Sequence, residues 1–276
     1  MRIRATVAAV SGALALSAFA VPVAQAEDSP KAGSLSASGR QAPADEIVGD
    51  TTISNVVVNG GKDIVLGTTA AKTITVSLTA TDPAGIEDAY IDLWHGASVD
   101  DPDGWLLPNE DVATCTASSA TTSTCKLTIT VDPQLDLYKN SLAGTWKVTA
   151  AAFGKDGDMM WKDAYKTHRV QRASTLTVNA SPEPVVKGKT ITVTGKLARA
   201  NWETSTYAGY SAQPVKLQFR KAGTTTYTTV KTVNTNSTGN LSTTVTAASD
   251  GYWRWSFAGT STTPAVSAAG DYLDVR

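Results

Sequence analysis

Short segments in which apolar and polar residues alternate constrain the fold of this chain more than any other feature. In "CKLTITV", Cys125, Leu127, Ile129 and Val131 fall on one face with a period of two, as residues of a half-buried β-strand do. Similar β-branched segments recur about every 8–12 residues and are bounded by Gly, Asp or Pro. Only residues 133–142 hint at a helical turn. The pattern predicts an all-β fold.

The strand pattern restarts near residue 174, which indicates two units. The motif Gly-x-Trp-basic occurs at Trp146 and again at Trp253, in the penultimate predicted strand of each unit. These two tryptophans are 107 residues apart, which is close to the length of one immunoglobulin-type (Ig-like) β-sandwich. We therefore predict two tandem Ig-like sandwiches, at residues 50–173 and 174–276, as diverged copies of one fold.

The distribution of charge separates the same two units. Residues 27–173 carry 12 basic and 20 acidic side chains, a net charge of −8. Residues 174–276 carry 10 basic and 5 acidic side chains, a net charge of +5. This difference predicts an acidic and a basic domain with distinct surfaces. Neither unit is basic enough, or has a recognisable motif, to predict nucleic-acid binding.

The densest aromatic segment, "GYWRWSFAG", has two interpretations. Alternation places Trp253, Trp255 and Phe257 on one face of a strand and Tyr252 and its alternating neighbours on the other. One aromatic and one polar face is typical of a half-buried sandwich strand, which predicts that these three residues, like Trp146, lie in the core. The alternative is an exposed platform of indole rings that stack on sugars.

The N-terminus predicts export. Two arginines precede an apolar stretch, and Ala24-Gln25-Ala26 fits the cleavage site of a signal peptide at residues 1–26. Residues 27–49 are rich in Ser, Ala, Gly and Pro and are expected to form a flexible leader. We expect a secreted, extracellular protein without a membrane anchor.

The two cysteines of the chain are expected to be joined. Cys115 and Cys125 bracket a Ser/Thr-rich loop that contains no histidine or acidic residue to indicate a metal site. Disulfides persist in exported proteins, so a disulfide is predicted, and a reactive thiol pair is the less favoured alternative.

The segments "SPEPVVKGKTITVTGKL", "QPVKLQFRK" and "GYWRWSFAGTSTT" resemble the Ig-like repeat appended to many secreted actinobacterial proteins. The resemblance covers residues 174–276. Residues 50–173 are similar to an uncharacterised secreted domain found beside that repeat, through "TDPAGIEDAYIDLW" and "AGTWKVTAAAFGKDGD". The resemblance implies an Ig-like fold, and it implies no activity and no catalytic residue.

Two acidic turns are candidates for calcium binding. "SVDDPDGW" contains Asp100, Asp101 and Asp103, and "GKDGDMMWKD" contains Asp156 and Asp158. Calcium takes several hard oxygen ligands from flexible loops. Neither turn matches the EF-hand loop, and both are also ordinary turn sequences. Calcium stays an alternative, and no other cofactor is expected.

The loop at residues 201–213 is the candidate for ligand contact. Trp202, Tyr207 and Tyr210 interrupt the strand alternation within the basic unit, where exposed rings could meet an anionic wall polymer or a glycan. The favoured interpretation is a loop folded over one end of the sandwich, with its rings capping the core.

Catalytic chemistry finds little support in the sequence. His95 and His168 lie at strand ends, and the motif Gly-x-Ser-x-Gly is missing. Paired carboxylates of a glycoside hydrolase could lie among the acids of the first unit. We predict a secreted non-catalytic protein that acts by surface or cell-wall binding, by adhesion or as a structural accessory. Its expected partner is a wall polymer, a glycan or another surface protein, and a calcium-binding exoprotein is the alternative.

Overall fold

The structure, a computed structural model, describes residues 45–276. The predicted signal peptide, residues 1–26, and residues 27–44 of the predicted leader lie outside the described residues. The leader predicted to end at residue 49 is corrected, because Glu46–Val48 forms a strand that pairs antiparallel with residues 159–161. This pairing gives the backbone N–H and C=O groups of those residues their partners. No helix among residues 45–276 is long and apolar enough to cross a membrane.

Residues 45–276 fold almost entirely into β-strands, so the predicted all-β class is confirmed. The helical segments described, Asn59–Gly61 and Asn140–Leu142, are short 3-10 turns. The strands of the N-terminal half are β1 Glu46–Val48, β2 Thr52–Val58, β3 Ile64–Leu66, β4 Lys72–Thr81, β5 Ile86–His95, β6 Gly104–Leu106, β7 Thr114–Ala117, β8 Thr122–Val131, β9 Gly144–Gly154 and β10 Met159–Arg172.

These strands form the two sheets of the first sandwich. The six-stranded sheet has the order β1-β10-β9-β5-β6, and β3 pairs in parallel with the end of β10. The four-stranded sheet has the order β2-β4-β8-β7. Alternate residues of both sheets point inward and form one apolar core, as expected of two sheets packed face to face.

The C-terminal half forms the second sandwich. Its strands are β11 Ser174–Leu176, β12 Asn179–Ser181, β13 Thr190–Asn201, β14 Thr206–Gly209, β15 Pro214–Lys221, β16 Thr228–Asn234, β17 Asn240–Thr246, β18 Gly251–Phe257, β19 Val266–Ser267 and β20 Asp271–Leu273. In one sheet β13 pairs with β11, β12, β14 and β17. The other sheet has the order β16-β15-β18-β19, and β20 also pairs with β18.

The tryptophans of the two central strands lie in the two cores. Trp146 on β9 is fully buried, and its indole N–H donates to the carbonyl of Leu142 at 2.7 Å. On β18, Trp253, Trp255 and Phe257 are 5%, 0% and 3% exposed, and the residues between them are partly exposed. These rings fill the second sandwich and leave no face of their own for a sugar.

Gly195 on β13 leaves the space that Trp255 occupies. A Cβ atom on Gly195 would lie 2.6 Å from Cδ1 of Trp255, closer than packed carbon atoms can approach. The indole N–H of Trp255 donates to the carbonyl of Thr194 at 3.0 Å. The ring is therefore packed against the opposite sheet and hydrogen-bonded to it.

The disulfide between Cys115 and Cys125 links two neighbouring strands. Cys115 on β7 lies directly opposite Cys125 on β8 in the antiparallel register, and the two sulfur atoms are bonded. The bond ties the edge strand of the four-stranded sheet to the strand beside it. Cys125 is buried in the core, whereas Cys115 is partly exposed.

The segment that joins the two sandwiches is buried and hydrogen-bonded. Gln171 donates to the carbonyls of Thr260 and Ser261, and the Arg172 guanidinium donates to the carbonyl of Ala200. Loss of hydration lowers the pKa of Arg172 to about 10, and the charge of nearby Arg199 adds to the effect. The polar residues at this boundary are part of a packed joint.

Trp202 forms the centre of that joint. It lies in the turn between β13 and β14 of the second sandwich, yet it is 3% exposed and belongs to the core of the first. Its indole N–H donates to the carbonyl of Gly67 at 2.9 Å, and its backbone N–H donates to Oδ1 of Asn140 at 3.0 Å. Asn140 in turn donates to Asn201 at 2.7 Å. The division of the chain into domains at residues 50–173 and 174–276 stays a prediction.

We expect Trp255→Ala to destabilise the protein strongly. The substitution removes a fully buried ring and leaves a cavity, which costs about 3–5 kcal/mol out of a total of about 5–15 kcal/mol. Tyr252→Ala, on the partly exposed face of the same strand, is the control and should lower the melting midpoint less. An unshifted midpoint for folded Trp255→Ala protein would contradict the core position of the ring.

We expect Trp202→Ala to uncouple the two sandwiches. The buried ring joins the second sandwich to the core of the first, so the unaltered protein should unfold in a single calorimetric transition. Without the ring, whose loss costs about 3–5 kcal/mol, two transitions should appear. Thr204→Ala, at an exposed position of the same turn, should keep the single transition. If Trp202→Ala also melts in one unshifted transition, the turn does not couple the sandwiches.

Candidate functional site

Three aspartates converge at one end of the first sandwich and are called here the carboxylate cluster. One carboxylate oxygen from each of Asp50, Asp82 and Asp158 lies within 4.8 Å of the others. Asp50 precedes β2 and Asp82 follows β4, and these two strands pair antiparallel. Asp158 lies in the turn between β9 and β10 of the other sheet. Among residues 45–276, no other set of three Asp, Glu, His or Cys side chains meets in this way.

Hydrogen bonds hold the cluster in place. Asp82 is buried and accepts a hydrogen bond from the Thr51 hydroxyl. Asp158 accepts from the backbone N–H of Asp50 at 3.0 Å, and Asp156 beside it accepts from the backbone N–H of Asp158 at 3.2 Å. None of the ion pairs formed by residues 45–276 includes these aspartates. The carboxylates therefore face one another without a basic partner.

Loss of hydration and the neighbouring carboxylates act together on the pKa of Asp50. Its pKa is raised first by loss of hydration and then by the charges of Asp158, Asp82 and Asp156. An acid whose folded-state pKa is raised stabilises the fold below its unfolded-state pKa, and this contribution is lost as the pH rises through the raised value. A divalent cation between the carboxylates would act in the opposite direction, because it removes the repulsion.

The turn at residues 98–104 does not join the cluster. Asp103 pairs with Nδ1 of His95, and Asp101 forms a β-bridge with Ser98. Asp100, Asp101 and Asp103 are not among the three carboxylates that converge within the described residues. Calcium binding by this turn stays a prediction.

Asp158, which the sequence predicted as a calcium ligand, belongs to the cluster. The sequence pattern did not predict Asp50 or Asp82. Each of the two flanks a strand, and the pairing of Thr52 with Thr81 brings the two strand ends together. An antiparallel register between these strands could have predicted that part. The approach of Asp158 depends on how one sheet packs on the other, which strand periodicity does not encode.

A buried carboxyl lies on the outer face of the six-stranded sheet, beneath aromatic rings. Asp92 is 1% exposed and accepts hydrogen bonds from the indole N–H of Trp105 at 2.6 Å and the hydroxyl of Tyr90 at 3.0 Å. Burial raises the pKa of Asp92. Because the surrounding residues cover it, Asp92 is not placed to act on a substrate as one of two hydrolytic carboxylates.

The predicted ligand contacts in the loop at residues 201–213 do not form one exposed surface. The prediction is corrected for Trp202, whose ring fills the core of the neighbouring sandwich. Tyr210 is half-buried between Phe257, at 5.8 Å, and the guanidinium of Arg199, at 3.7 Å. Tyr207 is 43% exposed and is the one of the three rings that remains at the surface.

A stack of tyrosines and arginines crosses the outer face of the sheet that contains β18. It consists of Tyr272, Tyr252, Arg220, Tyr227 and Arg254, in that order, and is called here the Tyr–Arg face. The Arg220 guanidinium lies 4.1 Å from the ring of Tyr252 and 5.3 Å from that of Tyr227. The Arg254 guanidinium lies 3.8 Å from the centre of the same Tyr227 ring. The rings of Tyr252 and Tyr272 are 5.1 Å apart.

Strand register builds this face. In the antiparallel sheet Tyr252 on β18 lies between Arg220 on β15 and Tyr272 on β20. Arg254 lies opposite Gln218, whose side-chain oxygen accepts from its Nε at 2.8 Å. Alternation along β18 predicts that Tyr252 and Arg254 point away from the core, but the partners on the other strands follow only from the register.

The two arginines of the face have no acidic partner. None of the ion pairs among the described residues involves Arg220 or Arg254. At the far end, Asp250 and Asp274 add to the loss of hydration that raises the pKa of Tyr272. The face therefore has an acidic border beside Tyr272 and a basic region around the two guanidinium groups.

The comparisons with known proteins concern the architecture. A family of unknown function, DUF5707, matches residues 66–152, which lie in the first sandwich. A comparison with curated proteins found no match. The D00-D0 domain of intimin aligns with 79% of this chain and 99% of its own, at 18% identity and a TM-score of 0.25. The Yersinia pseudotuberculosis adhesin InvE aligns with 81% of this chain and 58% of its own, at 14% identity and a TM-score of 0.25.

Proposed function

We propose that this protein is a secreted, non-catalytic binding protein that attaches to a cell surface or cell wall, as an adhesin or a structural accessory. The Tyr–Arg face of the second sandwich is its binding surface. The partner is a surface molecule such as a wall polymer, a glycan or another protein. Export rests on the predicted signal peptide at residues 1–26.

The observation that carries the proposal is the presence of two stacked arginines without carboxylate partners on an open sheet face. An arginine that stacks on aromatic rings loses little conformational freedom when its N–H groups bind a partner. A guanidinium carries five N–H donors, and among the described residues one N–H of Arg254 is used by Gln218 and one of Arg220 by the carbonyl of Thr224. The remaining donors are available to a ligand.

The packed joint between the sandwiches suits the same role. Trp202 and the buried segment at residues 171–172 hold the second sandwich against the first. A binding face on such a rigid body keeps its orientation, so several faces on neighbouring molecules can engage one surface together. The net charge of −8 on residues 27–173 directs an anionic partner toward the second sandwich.

A second candidate function is calcium binding at the carboxylate cluster. It is favoured by the approach of Asp50, Asp82 and Asp158 without a basic partner among the described residues. Calcium takes oxygen ligands of this type. Calcium would then stabilise the first sandwich, and surface binding by the second sandwich is compatible with it.

We expect the protein without residues 1–26 to sediment with insoluble cell-wall material, and Arg220→Gln combined with Arg254→Gln to weaken that binding about tenfold or more. The estimate follows from the loss of charge-assisted hydrogen bonds worth about 1.5–3 kcal/mol each. The measurement is the bound fraction over a series of wall concentrations, with chitin and cellulose in parallel.

The control for this experiment is Lys187→Gln combined with Lys189→Gln. This variant also removes two positive charges from the second sandwich. The two lysines are exposed and directly precede β13, which belongs to the sheet that does not carry the Tyr–Arg face. Binding by the control should stay within about twofold of the unaltered protein, since surface charges away from a contact contribute little. If the arginine variant binds as well as this control, the Tyr–Arg face is not the binding surface.

We expect calcium at about 100 times its dissociation constant to stabilise the protein by about 2.7 kcal/mol, seen as a raised melting midpoint. Chelation should reverse the shift, and Asp50→Asn should reduce it. The shift should shrink as the pH falls through the raised pKa of Asp50, because a protonated carboxyl is no ligand. Asp101→Asn, outside the cluster, should leave the shift unchanged. An identical midpoint with millimolar calcium and with EDTA would exclude the site.

A further inference from the structure

We infer that the Tyr–Arg face binds the phosphodiester groups of a polyanionic surface polymer. This inference rests on the proposed function and names the chemical class of its ligand. It follows from the hydrogen-bond donors that the two arginines keep unused, from the rings that they contact and from the positive charges around them.

The two arginines keep N–H donors that the described residues do not use, since one hydrogen bond is formed by Arg220 and one by Arg254. Tyr227 contacts both guanidinium groups, and Tyr252 is the other ring contact of Arg220. Guanidinium edges bind oxyanions through paired N–H···O bonds. The exposed Lys216 precedes Gln218 by two residues on β15 and so extends the same outer face with a further positive charge.

The tyrosine rings of the face already contact other side chains. Tyr227 contacts both arginines, and Tyr252 contacts Arg220 and, at a tilt of 60°, Tyr272. The hydroxyl of Tyr227 reaches the backbone of Gly270, where a Cβ atom would lie 2.3 Å from it. Single-stranded nucleic acids and neutral sugars bind to exposed aromatic faces, whereas Tyr227 and Tyr252 are partly buried and only Tyr272, at the edge of the face, is exposed.

The spacing of the positive charges on this face favours a ligand that carries several anionic groups. Residues two apart on a strand are separated by about 7 Å, and neighbouring strands by about 4.8 Å, so Lys216, Arg220 and Arg254 are spread over a surface wider than one anion. Single contacts between exposed charges are weak. A chain with an anion in each repeat makes several such contacts at once and gains from their proximity.

A phosphodiester fits the guanidinium edges better than the carboxylate of an acidic sugar does. A uronic acid carries its carboxylate directly on a sugar ring, so the bulky ring has to approach the partly buried tyrosines together with the carboxylate. A phosphodiester lies in the flexible link between repeats and presents two unsubstituted oxygens to a guanidinium fork. Duplex DNA also carries phosphodiesters, but its rigid helix cannot bend to follow the spacing of these charges as a flexible chain can, and it is therefore compared directly in the test.

The test uses the protein without residues 1–26 and immobilised poly(glycerol phosphate), with the dissociation constant measured at low and at high salt. Binding should be salt-dependent, because displaced counterions contribute to it. Arg220→Gln with Arg254→Gln should weaken binding about tenfold or more. Arg220→Lys with Arg254→Lys should also weaken it severalfold, because an ammonium keeps the charge but loses the fork and the stacking. Melting midpoints establish that each variant is folded.

Three controls decide between ligands. Lys187→Gln with Lys189→Gln should bind within about twofold of the unaltered protein. Polygalacturonate and duplex DNA, matched for anion concentration, should bind more weakly than poly(glycerol phosphate). Equal losses in the lysine and arginine variants would overturn the inference in favour of net charge. Tighter binding of polygalacturonate or DNA would overturn it in favour of that polymer.

The inference and the proposed function fail in different ways. If the protein sediments with cell walls through its arginines but does not bind poly(glycerol phosphate), the ligand class is wrong and the binding surface stands. If the arginine variant sediments normally, the binding surface itself is wrong. If poly(glycerol phosphate) binds with full sensitivity to both arginines, both stand.

Discussion

The arrangement of this molecule depends on one side chain, Trp202, which belongs to the second sandwich by sequence and to the first by packing. Its burial closes the core of the first sandwich at the end where Gly67 and Asn140 accept its hydrogen bonds. Such a contact stabilises the joint by burial of apolar area and fixes its direction by hydrogen bonds. The relative position of the acidic and the basic half follows from this contact and from the buried segment at residues 171–172.

The two candidate sites differ in how they handle charge. In the carboxylate cluster like charges are brought together, and loss of hydration followed by these charges raises the pKa of Asp50. In the Tyr–Arg face the arginines are kept apart by a ring, so Tyr227 separates two positive charges and is attracted to both. A cation would relieve the first arrangement, whereas in the second each positive charge already has an aromatic ring beside it.

The sequence predicted what depends on local periodicity and missed what depends on pairing. Alternation along "GYWRWSF" separates Trp253 and Trp255 from Tyr252 and Arg254, as the burial pattern of β18 does. Trp202 carries no periodic signal, since it lies in a turn, and only the packing of two sandwiches explains its burial. The same holds for Asp50 and Asp158, which meet across two sheets. Strand ends and turns are therefore where sequence reasoning failed.

The parallel pairing of β3 with β10 has a mechanical consequence. A pull applied at Asp45 and at Arg276 would peel β1 from β10 one residue pair at a time, because the loaded ends of two antiparallel strands lie together. At the other end of β10, Ile64–Leu66 runs parallel to residues 170–172. Parallel strands pulled from opposite ends slide past each other, so their hydrogen bonds share the load and must break together. The short strand β3 would thus act as a clamp that keeps the first sandwich folded under tension.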